Sequence, residues 1–153
     1  MANVSSKFKI EYVFDDEETR RRLIFPKIED FYADVNAFVD DELLMSYNIF
    51  IFELACQLTI WLNNSDENFS YESFDDDGEG LVFTQKDNNL WEIKSDWTEL
   101  WAERTDCDTD TSKSFLVEKQ ALVNGVKSFT EKIREEAKQK YRLDYHRFLK
   151  FYH

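Results

Sequence analysis

A chain of 153 residues with 42% hydrophobic residues, among them 14 Phe, 7 Tyr and 4 Trp, has the material for a packed core in one domain of ordinary size, which excludes a wholly disordered protein. Its 19 basic and 32 acidic residues leave a net charge of −13, a field that repels nucleic acid and anionic membrane surfaces and attracts basic proteins at salt-sensitive rates. Cys56 in an apolar run and Cys107 in an acidic stretch fit neither a disulfide framework nor a zinc site, and read as two thiols of a reducing compartment.

The N-terminal nine residues are polar and lack the apolar stretch of a secretion signal. The longest apolar run, Ile49 to Leu62, is interrupted by Glu53, Gln57 and Thr59 and is too short to span a bilayer, so the cytoplasm is the expected location. With three glycines, one proline and no repeat, nothing divides the chain, and one continuous domain is expected.

Lys7 to Phe14 alternates, with Phe8, Ile10, Tyr12 and Phe14 on one side, as a half-buried strand does. Ile28 to Val39 fits either period. The step Asp40-Asp41-Glu42 before Leu43-Leu44-Met45 looks like a hairpin turn with its return strand and favours a strand. Asn48 to Leu62 reads as an enclosed helix capped by Ser46 or Asn48, apolar on every side but a Glu53/Gln57 stripe that should face water or a basic partner residue, a part-buried Glu53 carboxylate being the alternative. Four aromatic-rich runs follow, Phe69 to Phe74, Leu81 to Gln85, Leu90 to Lys94 and Trp97 to Glu103, separated by acidic or polar turns, which predicts an antiparallel meander. After a loop from Thr105 to Ser114, Leu122, Val126, Phe129, Ile133 and Ala137 recur at helical steps and predict a long amphipathic helix over 118–141, with Lys127, Lys132, Arg134, Lys138 and Lys140 outside. The tail, Arg142 to His153, reads as a final helical turn or short helix. The sum is an α+β domain: an antiparallel β-sheet meander with a buried central helix and a long C-terminal amphipathic helix packed on one face.

Charge is unevenly spread. Residues 1–112 hold 9 basic and 27 acidic residues, net −18, and residues 113–153 hold 10 and 5, net +5. The lysines and arginines of the helix are expected to pair with the chain's own carboxylates. The acidity as a whole fits either a binding surface for a basic partner or a device that keeps an aromatic-rich protein soluble.

The motifs of chemistry are mostly missing. Gly78, Gly80 and Gly125 match neither phosphate-cradling fingerprint. The two histidines, His146 and His153, sit in a basic tail, and neither cysteine has a nucleophile's signature. Asp106, Asp108 and Asp110 hold the first, third and fifth positions of a calcium loop, but Thr111 stands where glycine is needed and Val117 where the bidentate carboxylate belongs. A solvated acidic loop is the better reading, and no cofactor or metal is expected. Asp75, Asp76, Asp77 and Glu79 are likewise a hairpin turn first, open to solvent or to an incoming Lys or Arg.

In order of elements, the strand Ile10-Glu11-Tyr12, the helix ending Leu54-Ala55-Cys56-Gln57-Leu58 and Trp61-Leu62, the strand Phe69-Ser70-Tyr71-Glu72-Ser73 and Leu90-Trp91-Glu92-Ile93-Lys94-Ser95 before a closing helix, the chain resembles small acidic bacterial immunity proteins of polymorphic and contact-dependent toxin systems. That resemblance implies a non-enzymatic inhibitor that neutralises a cognate toxin, often a basic nuclease domain, by covering its active site or an adjacent surface. On this reading the carboxylates Asp75, Asp76, Asp77 and Glu79 and those of Asp106, Asp108 and Asp110 meet the toxin's cations, while Tyr71, Trp97 or Trp101 supplies an apolar anchor. The other readings are an acidic regulatory module or nucleic-acid mimic, and a carboxylate- or metal-dependent enzyme.

Overall fold

A computed structural model of the chain describes residues 4–14, 32–71, 80–95 and 113–141. Within them eight strands and two helices form an α+β arrangement in chain order: β1 (Val4–Ser5), β2 (Phe8–Phe14), β3 (Tyr32–Val39), β4 (Glu42–Phe50), α1 (Ile51–Leu62), β5 (Phe69–Tyr71), β6 (Leu81–Gln85), β7 (Leu90–Ser95), β8 (Lys113–Glu118) and α2 (Lys119–Tyr141). The strands make two sheets, one five-stranded in the order β1-β8-β7-β6-β5 and one three-stranded in the order β2-β3-β4. All pairings are antiparallel except β1 with β8.

Alternation explains the three-stranded sheet. Phe8, Ile10 and Phe14 of β2 are buried and Tyr12 half-buried, while Lys9, Glu11 and Val13 face solvent. In β3 the small residues Ala33, Val35, Ala37 and Val39 line the inner face, leaving room for side chains packed over them. Of the ambiguous segment Ile28 to Val39, residues Tyr32–Val39 are strand and Ile28 to Phe31 lie outside the described residues; the Asp40-Asp41 step is the two-residue hairpin turn expected. Both turn residues have positive φ, 47° and 69°, as a turn matched to the right-handed twist of the hairpin requires. Asp40 is fixed from both sides, its amide donating to the Lys7 carbonyl at 3.1 Å and its carboxylate accepting from the Lys7 amide at 3.0 Å. An irregularity in pairing beside Ala37 and Phe38 lets consecutive residues Leu44 and Met45 both turn inward.

The enclosed helix is shorter than its sequence pattern. β4 continues to Phe50 and α1 begins directly at Ile51, with no side-chain cap. Asn48 is a strand residue whose side-chain amide donates to Asp34 Oδ1 at 2.8 Å, so it cannot cap. Ile51 to Cys56, Leu58 and Trp61 of α1 are buried, and its all-round apolarity is the signature of a core helix.

In the five-stranded sheet, β5, β6 and β7 are the predicted meander, and β8 is an addition. Lys113-Ser114 belong to β8, not to a loop, and the helix starts at Lys119. The run Trp97 to Glu103, the tail Arg142 to His153 and the residues Cys107, His146 and His153 lie outside the described residues. α2 buries the five apolar positions that sequence spacing singled out, Leu122, Val126, Phe129, Ile133 and Ala137.

The buried residues of both sheets and both helices form one continuous cluster. Ring contacts tie it together: Phe8 meets Phe83 at 5.9 Å, and Trp61 meets Phe83 at 5.1 Å and Trp91 at 5.9 Å, edge-to-face geometries that add to area burial. α2 runs beside β2, where a Cβ on Gly125 would lie 2.2 Å from the Phe8 carbonyl oxygen; only glycine permits that approach. Tyr12 completes the seam, its ring 5.8 Å from that of Phe129 and its hydroxyl donating to Glu136 at 2.5 Å. Among the described residues no helix is long and apolar enough to cross a membrane.

Candidate protein-interaction site

Nine of the ten residues that sequence reasoning placed in a partner-binding site, Asp75, Asp76, Asp77, Glu79, Trp97, Trp101, Asp106, Asp108 and Asp110, lie outside the described residues. Their chain neighbours do not. The first four follow Tyr71 at the end of β5 and precede Leu81 at the start of β6. The other five follow Ser95 at the end of β7 and precede Lys113 at the start of β8. Register brings these four points together, because Tyr71 pairs with Leu81, Lys94 with Val82, and Ser95 with Lys113. Adjacent strands lie about 4.8 Å apart, so the four chain exits stand in a row of roughly 14 Å at one end of the five-stranded sheet.

Between those exits the sequence is strongly one-signed. Residues 72–79 carry five carboxylates and no cation, and residues 96–112 carry six carboxylates and one arginine. The two connections, each net −5, therefore hold ten of the thirteen net negative charges of the chain, and both are rooted at the same sheet end.

Tyr71, the tenth residue, is not a surface anchor. It is fully buried, because β5 alternates with Phe69 and Tyr71 inward and Ser70 outward. Its hydroxyl donates to Glu53 Oε1 at 2.9 Å. Glu53 is itself 4% exposed, so the expectation that it lies on a water-facing stripe is corrected. A carboxylate enclosed in a core must find donors there, and the strand that ends at the first acidic connection provides one. Nothing in the helix periodicity revealed that; the donor arrives from 18 residues downstream. Cys56, one turn on in α1, is a buried thiol. Burial, and then the negative charge of Glu53, pushes its pKa from 9.0 to about 12, which makes it unreactive at neutral pH.

Elsewhere, α2 exposes Lys127, Lys132, Arg134 and Lys138. These four make no ion pair with a carboxylate among the described residues; Lys132 lies 5.3 Å from the centre of the Tyr12 ring, and Lys119, also of α2, reaches the carboxylate of Asp66 at 2.5 Å, as expected of the helix's lysines. A cleft of about 540 Å³ lies between the Asp40-Asp41 turn and α2, and Lys7, Lys9, Lys132, Asp40 and Asp41 are among the residues that line it. Its mixed charges partly cancel, with Lys9 3.8 Å from Asp41. Among the described residues no three His, Cys, Asp or Glu side chains are grouped as metal ligands would be.

A family model described as a domain of unknown function, DUF7878, matches residues 7–139. The chain belongs to the DUF7878 family. The span of this DUF7878 domain runs from Lys7, at the entry to β2, to the last turns of α2, and takes in both acidic connections. No curated protein and no solved structure matches the chain.

Proposed function

We propose that this chain is a non-enzymatic, protein-binding inhibitor that engages a basic partner through the acidic end of its five-stranded sheet, and that the partner is a cognate bacterial toxin, as for the immunity proteins it resembles in sequence. The observation that carries this reading is the common root of the two acidic connections. Segments separated by β6 and β7 in sequence leave and re-enter the sheet side by side, so two stretches whose sequences together carry ten net negative charges are rooted at one end of the five-stranded sheet. Charge gathered on one end steers association and selects the sign of the partner far more strongly than the same charge spread evenly. A toxin that cleaves nucleic acid must itself present a basic surface, and covering that surface neutralises it without chemistry. Trp97 and Trp101, in the second connection, supply the amphipathic area that converts a steered encounter into a lasting complex.

The test is capture from the native host with two baits: the natural chain, and a variant with Asp75, Asp76, Asp77, Asp106, Asp108 and Asp110 changed to Asn and Glu79 to Gln. A basic protein retained by the first bait and lost from the second is expected. Retention of the same protein by both baits would remove the electrostatic reading, and purified chain that turns over a small molecule would remove the inhibitor reading altogether.

A further inference from the structure

An open sheet edge presents unpaired N–H and C=O groups to any strand that approaches, and proteins ordinarily shorten, cover or charge such edges. The two sheets have four edges among the described residues. In the five-stranded sheet they are β1 and β5, two and three residues long. In the three-stranded sheet, β2 is covered by α2, whose Gly125 sits against the Phe8 carbonyl. The fourth edge, β4, is nine residues long, and no described strand pairs with its outer side.

The direction of its backbone groups follows from the ladder. The Lys7 carbonyl is turned toward β3, where it accepts from the Asp40 amide, and backbone groups alternate along an antiparallel strand. Those of Phe8 therefore point away from β3, as the contact with Gly125 independently requires. Carried through the register of β2 with β3 and of β3 with β4, the alternation turns the backbone groups of Met45, Tyr47 and Ile49 toward β3 and those of Ser46, Asn48 and Phe50 outward. In a chain with 33% charged residues, β4 has one charge, Glu42, at its first position, and none from Leu43 to Phe50.

We propose that β4 pairs antiparallel with β4 of a second copy of this chain, joining two three-stranded sheets into one of six strands. The charge pattern selects this occupant. A basic partner would be met by carboxylates, whereas along a sheet edge a second chain of charge −13 is repelled least where, as from Leu43 to Phe50, charge is absent. Pairing about Tyr47 sets Ser46 of each copy opposite Asn48 of the other and sends the two Glu42 side chains to opposite ends. The interface is self-complementary, as a two-fold axis demands.

Sedimentation equilibrium over protein concentration and salt tests it. A dimer is expected whose dissociation constant falls about threefold or more between 50 and 500 mM NaCl, because salt screens the repulsion between two anionic chains. Binding of a basic partner has the opposite salt dependence, so failure here and failure of the inhibitor reading are separate results. Ser46→Lys with Asn48→Lys places like charges opposite each other and is expected to give a folded monomer by circular dichroism. In the natural chain, the Ser46 and Asn48 amides are expected to exchange more slowly as concentration rises. A monomer at all concentrations, a dimer that weakens with salt, or a dimer whose Ser46 and Asn48 amides gain no protection would overturn the proposal.

Discussion

The seam between α2 and β2 and the exit end of the five-stranded sheet are built on opposite principles. At the seam, Phe8, Tyr12, Gly125 and Phe129 interlock at van der Waals distances, and a change of one methyl group meets a backbone oxygen. At the sheet end Tyr71 turns inward to Glu53, and the sequence between the exits holds eleven carboxylates and one arginine. Burial specifies the scaffold, and the scaffold specifies only where the charge is rooted. Substitutions at the seam should then act on stability, and those in the connections on association.

Phe129→Ala should cost the most, about 3–5 kcal/mol in denaturant unfolding, since it empties a buried ring's volume and removes the contact with Tyr12. Gly125→Ala comes next. Ala is the better helix former by about 1 kcal/mol, yet its Cβ would collide with the Phe8 carbonyl, and a net loss of roughly 2 kcal/mol is expected; a neutral or stabilising result would mean that helix and strand do not meet as described. Between the two regions sits Cys56. Its folded-state pKa, about 12, lies above the ordinary 9.0, so the unfolded chain releases the thiol proton first, and the stability held below pH 9 is lost progressively up to about 12. Compared with the natural chain, Cys56→Ala should show a shallower decline of unfolding free energy across that window, and an equal decline would contradict the burial of the thiol. The smallest effect is Asp41→Gly, which relieves a left-handed φ of 69° at the expense of an exposed ion pair with Lys9. A gain of about 0.5–1 kcal/mol in thermal unfolding is expected.

The sequence disclosed elements wherever one period ran unopposed. Phe8, Ile10, Tyr12 and Phe14 marked a strand, Leu122 through Ala137 marked a helix, and the Asp-Asp step marked its hairpin, because each rests on neighbours in the chain. The segment from Asn48 misled because a buried strand that runs straight into a buried helix has no polar boundary, and Phe50 caps nothing. β1 and β8 were missed for another reason: a two-residue strand paired in parallel with residues 116 and 117 leaves no local trace. Tyr71 and Glu53 looked like surface groups because residue type carries polarity but not the partner that satisfies it. The acidic connections were plain in composition; their common root needed the strand order.

Separating packing from charge has one decisive readout, the association rate of the purified partner with the natural chain and with the variant neutralised in both connections, measured by stopped flow from 50 to 500 mM NaCl. The account predicts a rate for the natural chain that falls about tenfold or more across that range, a variant that starts slower by a similar factor and is nearly insensitive to salt, and indistinguishable unfolding curves for the two. Equal rates and equal salt dependence would contradict it.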